Sequence, residues 1–294
     1  MSRTTATFIG FVAVLLWALL ALFTAASGNV PPFQLAAMTF AIGGTAGAAT
    51  WIARPKGMRA LRQPLKVWAL GVCGLFGYHF VYFSALRAAP PVEASLIAYL
   101  WPLLIVLMSA LAPNERLRAH HVGGALLGFA GAALIVTGGQ SLALDPQFAG
   151  GYGLALLAAF IWSSYSVLSR RFGDVPTDVV TGFCLVTAVL ATVCHLVLET
   201  TVWPATKLEW LAVLGLGLGP VGLAFYVWDI GVKRGDIQVL GAASYCAPLL
   251  STVVLIALGY AQLTWIVGLA CLLITAGALL AAKSMLFSRK SVTR

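Results

Sequence analysis

The sequence predicts an all-α membrane protein with ten transmembrane helices arranged as two inverted-topology repeats of five. Three observations predict it: the scarcity of charge, the length and spacing of the apolar runs, and the echo of one half in the other. Of 294 residues, 61% are hydrophobic and 9% are charged, against about 25% charged in an ordinary soluble domain. A water-soluble chain of this length cannot hide so much apolar surface, so lipid must solvate most of it. The formal net charge is +9, from 18 Lys and Arg against 9 Asp and Glu. A nucleic-acid binder gathers its basic residues on one face or stripe. Here they sit in short loops between apolar runs, so no nucleic-acid partner is expected.

A helix needs about 20 apolar residues to cross the hydrocarbon core. Segments 7–27, 33–53, 66–87, 92–112, 119–138, 151–170, 177–198, 208–232, 237–258 and 263–283 meet that need. The connections are short, the longest being 139–150, and no soluble domain fits between them. The first run, Phe8 to Ala26, follows Arg3 and ends in small residues, as a signal peptide does. It is longer than the usual apolar core of about 7–15 residues and it recurs later in the chain, so it is read as a retained span. With the N-terminus in the cytoplasm, 16 of the 18 basic residues fall inside and only Arg87 and Lys207 fall outside. Inside are Arg3, the Arg54 to Lys66 cluster, Arg116, Arg118, Arg170, Arg171, Lys233, Arg234 and the C-terminal Lys283, Arg289, Lys290 and Arg294. Such a bias places both termini in the cytoplasm. Cys73, Cys184, Cys194, Cys246 and Cys271 all lie in apolar runs without a C-x-x-C pair, which reads as small buried hydrophobes rather than disulfides or metal ligands.

The repeat is visible by offset. At 145 residues, Trp17 meets Trp162 and Gly28-Asn29-Val30-Pro31 meets Gly173-Asp174-Val175-Pro176. At 146, Arg87 meets Lys233, Tyr99 meets Tyr245, Pro102-Leu103-Leu104 meets Pro248-Leu249-Leu250, and Ala130-Gly131-Ala132 meets Ala276-Gly277-Ala278. This predicts a first repeat over 1–138, a periplasmic linker over 139–150 and a second repeat over 151–294. Five is odd, so the second copy enters the membrane with opposite polarity, a common plan for carriers.

Taken in order, the spans supply these candidates. Trp17 lies mid-span in the first and Trp162 in the sixth, too deep for an interfacial belt. Gly43-x-x-x-Gly47 in the second and Gly124-x-x-x-Gly128 in the fifth predict close helix packing. The third carries Tyr78, His79 and Tyr82, with the two tyrosines one turn apart. His79 is a mid-membrane ionisable group; proton relay is one reading, and a neutral hydrogen-bonding pocket residue is preferred. In the fourth, Ser95, Tyr99 and Pro102 share a face, with Trp101 beside them; in the ninth, Gly241, Tyr245 and Pro248 do, with Ser244 beside them. Each proline frees the carbonyl four residues back, here Ala98 and Ser244, and such a group needs a partner or a wet cavity. A neighbouring Ser or Tyr can satisfy it, but the matched repeat positions favour the cavity. Glu93 near Arg87 reads either as an external gate or as an interfacial residue. In the eighth span, Gly215, Gly217 and Gly219-Pro220 lack the Lys-Ser/Thr of a phosphate loop and read as a kink. Phe225 and Trp228 follow at i, i+3, and Asp229 and Lys233 at i, i+4 read as a local ion pair. The chain contains no H-E-x-x-H, G-x-S-x-G or nucleotide-binding loop.

Ten spans in two five-helix units, the Pro102 and Pro248 spans, and the Pro113-Asn114-Glu115-Arg116-Leu117 turn resemble the EamA family of the drug/metabolite transporter superfamily. That family's turn commonly begins with Gly where Asn114 stands, and the second repeat has Gly259-Tyr260-Ala261-Gln262-Leu263 without the Glu. Tyr78-His79, Tyr82 and Tyr99-Leu100-Trp101-Pro102 further resemble the aromatic amino-acid exporters of the YddG type. The resemblance covers nearly the whole chain and implies solute export without a bound cofactor.

The expectation is therefore a monomeric secondary transporter in a bacterial inner membrane, surrounded by lipid, exporting neutral and aromatic amino acids by alternating access. Tyr78, His79, Tyr82, Tyr99, Trp101, Ser244 and Tyr245 would contact substrate. Trp17 and Trp162 would line or gate the cavity, and Pro102, Phe225, Trp228 and Pro248 would help to form it. The rival readings are a carrier of nucleobases, drugs or other metabolites, and a membrane-embedded enzyme. For the enzyme, the sequence offers no acid/base or metal constellation.

Overall fold

In a computed structural model, residues 1–111, 115–141, 144–259 and 261–286 are described, and among them there are helices and no strands. Nine helical segments are long and apolar enough to cross a membrane: α1 (Arg3–Ala26), α2 (Pro32–Ala53), α3 (Leu65–Ala88), α4 (Pro91–Leu111), α5 (Ala119–Thr137), α6 (Pro146–Phe172), α7 (Val179–Leu198), α8 (Lys207–Arg234) and α9 (Ile237–Ala257). A tenth, α10 (Trp265–Ala281), is apolar and shorter. The expected ten spans are thus the observed ten helices, with ends shifted by a few residues. Pro113, Asn114 and Tyr260 of the quoted turns, and Arg289, Lys290 and Arg294, lie outside the described residues. Leu65, Leu196, Val197, Trp265 and Leu272 are exposed, as side chains against lipid must be. Cys73 and Cys271 join them, whereas Cys184 is buried, so the expectation of five buried cysteines holds only in part.

Helix irregularities fall at particular depths. Among the described helices, α4 is interrupted at Tyr99–Leu100 and α9 at Ser244–Tyr245, about one turn before Pro102 and Pro248. A proline inside a helix offers no N–H and crowds the carbonyl of the preceding turn. The Ser244 carbonyl is not left free: the chain tightens and Ala247 N–H donates to it at 3.1 Å. Two π-turns, at Cys73–Gly77 in α3 and Gly219–Leu223 in α8, stand 146 residues apart. The second was signalled by its glycines and Pro220; the first was not anticipated, nor was the interruption of α1 at Ala18–Leu19.

Helices pair as α1 on α8, α3 on α6, α2 on α7 and α5 on α10. Two close approaches, of α2 to α8 and of α5 to α10, are backbone to backbone. A Cβ at Gly43 would lie 2.8 Å from the Cα of Gly222, and one at Gly124 would lie 2.5 Å from the carbonyl oxygen of Gly277. The small-residue stripes therefore act as packing faces, in a solvent that supplies no hydrophobic push between helices.

The ends of the bundle are fastened by charge. At the end where α1 begins, the buried Glu115 carboxylate accepts from Arg3 at 2.8 Å and also from Arg170. Asp236 takes Arg3 at 3.1 Å, and Arg170 donates to the carbonyls of Val232 and Gly235. At the opposite end, Glu199 accepts from Arg87 at 2.7 Å and from the first N–H groups of α2, Phe33 and Gln34, at 3.1 Å each. An anion there also meets the positive end of the α2 dipole.

Candidate functional site

The irregular turns of α1, α3, α4 and α8 converge on one cavity of about 170 Å³. At about 10–15 Å³ per water centre, such a space holds on the order of ten waters or one small solute. Non-helical backbone is tolerated at membrane depth only where protein or water satisfies it, and here side chains of the protein meet the carbonyls of both π-turns. α1 contributes Trp17 and Leu20, α3 contributes Tyr78, His79 and Tyr82, and α4 contributes Ser95, Ala98, Tyr99 and Trp101. From the other half come Trp162 on α6, Pro220, Val221 and Phe225 on α8, and Ala247 on α9. None of these lining residues is Asp, Glu, Lys or Arg. Leu20, Tyr82 and Ser95 each lie within two turns of the helix ends near Arg87 and Glu199, so the cavity occupies that half of the bundle.

Aromatic rings build its walls. Trp17 stands edge-on to Trp162 and Trp101, with ring centroids 5.8 and 6.0 Å apart. Tyr78 stacks on Tyr82 at 5.7 Å, and Phe40 stacks on Phe225 at 5.5 Å. Edge-to-face and offset pairs at these separations stabilise by about 0.5–1.5 kcal/mol each beyond area burial, so the walls are rigid. Side-chain donors meet the carbonyls of both π-turns. His79 Nδ1 donates to the Leu75 carbonyl at 2.7 Å, and Trp17 Nε1 donates to the Pro220 carbonyl at 3.1 Å. The Tyr82 hydroxyl and Ser95 Oγ lie 3.2 Å apart.

Of the residues singled out from sequence, Trp17, Tyr78, His79, Tyr82, Tyr99, Trp101, Trp162 and Phe225 come together here. Five do not line the cavity. Trp228 is fully buried behind it, 5.0 Å from Trp17 by ring centroids, with its N–H donated to Ser166 Oγ. Ser244 is fully buried, and its hydroxyl donates to the Leu240 carbonyl of the preceding turn. Tyr245 fills the space over Gly128 on α5, and its hydroxyl accepts the Leu103 N–H at 3.1 Å. That N–H belongs to the first turn of the restarted α4 helix, where no intrahelical acceptor exists. Pro102 and Pro248 are buried in the packing and shape the helices from outside the cavity.

Asp229 and Lys233 form the local pair, 2.9 Å apart and both buried, with Thr177 donating to Asp229 and Lys233 donating to the Val175 carbonyl. Arg87 pairs with Glu199 rather than with Glu93. Glu115 belongs to the quoted turn but carried no indication of its ion pairs, and Glu199 carried only the signal of a carboxylate at the end of an apolar run. Leu20, Pro220, Val221 and Ala247 carried no signal as cavity lining.

The comparisons with known proteins agree with this architecture. A chain named aromatic amino acid exporter YddG from Ancylobacter novellus is 56% identical over 284 residues, covering 96% of this chain and 98% of the relative. The Escherichia coli protein of the same name is 24% identical over 293 residues, covering 95% and 97%. A solved crystal structure superposes with a TM-score of 0.93 at 54% identity, covering 99% of this chain and all of the other. The profile of the EamA-like transporter family matches twice, over residues 4–137 and 149–283, and this multi-pass membrane chain belongs to that family.

Proposed function

We propose that this chain exports amino acids, aromatic ones included, across a bacterial inner membrane by alternating access, acting as a monomer with both termini in the cytoplasm. The observation that carries this reading is the cavity itself. It is walled by aromatic rings, supplied with hydroxyl and ring-nitrogen groups, and lined by no formally charged side chain. Such a surface suits a solute that is apolar at one end and polar at the other. The name carried by the 56% and 24% identical relatives, aromatic amino acid exporter, supports the same substrate class.

Reading the chain as two inverted copies of a five-helix unit supports the alternation. Under exchange of the halves, the α1–α8 pair becomes α6–α3, while α2–α7 and α5–α10 map onto themselves, and these are the pairs that pack together. The two π-turns and the two interrupted helices also fall at matched positions. Positive-inside bias puts the Arg3 end in the cytoplasm, and the cavity then faces the periplasm.

The test is flux of labelled phenylalanine and tryptophan in proteoliposomes. Saturable transport is expected, with Tyr99→Ala reducing it by about tenfold, the loss that follows from removing one aromatic contact of roughly 1.5 kcal/mol. Absence of saturable flux for either amino acid, with Tyr99→Ala behaving as the parent, overturns the proposal.

A further inference from the structure

The cavity lacks a carboxylate or an ammonium, yet an amino acid carries both charges. The hydrogen bonds already made inside it decide which ring nitrogens remain to meet them, beside the hydroxyls of Tyr78 and Tyr99. A carbonyl oxygen can only accept, so the bond from His79 to Leu75 fixes the proton on Nδ1. In the neutral ring, Nε2 is then an acceptor, and it has no partner among the described residues. Indole nitrogen has the opposite chemistry, since it only donates. Trp17 and Trp228 have spent their N–H groups on Pro220 and Ser166. Trp101 and Trp162 line the cavity and have no hydrogen-bond acceptor among the described residues. Their rings lie 6.3 Å apart by centroids. His79 and Trp162 flank the same two rings: Tyr78 at 5.1 and 5.6 Å, and Phe225 at 6.4 and 5.8 Å.

We infer that the cavity divides the zwitterion between uncharged partners: His79 Nε2 accepts from the substrate ammonium, and the free indole N–H groups of Trp162 and Trp101 donate to its carboxylate. This assignment rests on the cavity being an amino-acid site. It gives the π-turn of α3 a role in recognition, because the Leu75 carbonyl holds His79 in the tautomer that presents an acceptor. The imidazole also stands edge-on to Phe40 at 5.1 Å, which restrains its rotation. A group that loses its only buried partner forfeits the strength of a charge-assisted bond, so each contact is worth about tenfold or more in affinity.

The experiment measures competition against phenylalanine flux in proteoliposomes by three probes: phenylalanine, 3-phenylpropionate (no ammonium) and phenethylamine (no carboxylate). In the wild type each truncated probe is expected to compete about tenfold more weakly than phenylalanine. His79→Phe should weaken phenylalanine by about tenfold and leave 3-phenylpropionate unchanged. His79→Gln, whose amide supplies an acceptor oxygen beside an NH2 donor group, should restore most of that loss. Trp162→Phe should weaken phenylalanine and 3-phenylpropionate together while sparing phenethylamine. If His79→Phe weakens phenylalanine and 3-phenylpropionate by the same factor, or the wild type does not distinguish them, the assignment is wrong while the transport reading stands. A wild type without saturable phenylalanine flux removes both.

Discussion

Asp229 and Lys233 sit in a setting where side-chain charge is expensive. Both are nearly inaccessible, at 2% and 5% side-chain exposure, and Thr177 and the Val175 carbonyl complete their hydrogen bonds. Removing one partner strands the other's charge, which costs about 3–5 kcal/mol. Asp229→Leu is therefore expected to lower the melting temperature in detergent sharply. The double variant Asp229→Leu with Lys233→Met should recover much of it, because a packed apolar pair replaces a buried ionic one. That pair was readable from spacing alone, because an i, i+4 contact is local. Tyr99 and Tyr245 show where such reading stops. They occupy matched positions, but one lines the cavity and the other covers Gly128. The difference lies in which neighbouring helix each tyrosine meets, and helical periodicity carries no record of that. The arginine partners of Glu115 and Glu199 were illegible for the same reason, since each lies more than fifty residues away in sequence.

Of the six helices that frame the cavity, all but α6 are interrupted along their length, while α2, α5, α7 and α10 pack as uninterrupted rods. Composition and length placed all ten, because about 20 apolar residues is a requirement of lipid rather than of sequence detail. The breaks before Pro102 and Pro248 and the α8 kink were also legible, through residues that cannot sustain a helix. The α3 π-turn was not, since Gly74 and Gly77 look like ordinary membrane-helix glycines. The rods depend on backbone contact. Gly124→Leu would drive a side chain against the Gly277 carbonyl and Ala281 on α10. Overpacking of this kind costs about 1–3 kcal/mol, so the variant should melt earlier in detergent. The nearby Gly123→Leu, which meets only the Leu280 side chain at 3.5 Å, should change little.

For the molecule as a whole, the two ends are unequal in a way the internal symmetry exposes. Arg3, Glu115, Arg170 and Asp236 tie the end away from the cavity through α1, α6 and the turns before α5 and α9. Their counterparts in the exchanged halves are Phe148, Ala261, Ala25 and Pro90, and none of these can form an ion pair. On the proposed alternation, the mirror-image state would close its outer mouth without an equivalent clasp. A bias of only about 1.4 kcal/mol corresponds to a tenfold preference. On the proposed export cycle and orientation, an unloaded carrier would idle toward the periplasm, and its homeward swing would limit the rate of each round. Labelled phenylalanine should accordingly leave vesicles faster into medium containing unlabelled phenylalanine than into buffer, and Glu115→Gln should shrink that gap by quickening the vacant return. Equal rates in the parent would mean that the clasp sets no tempo.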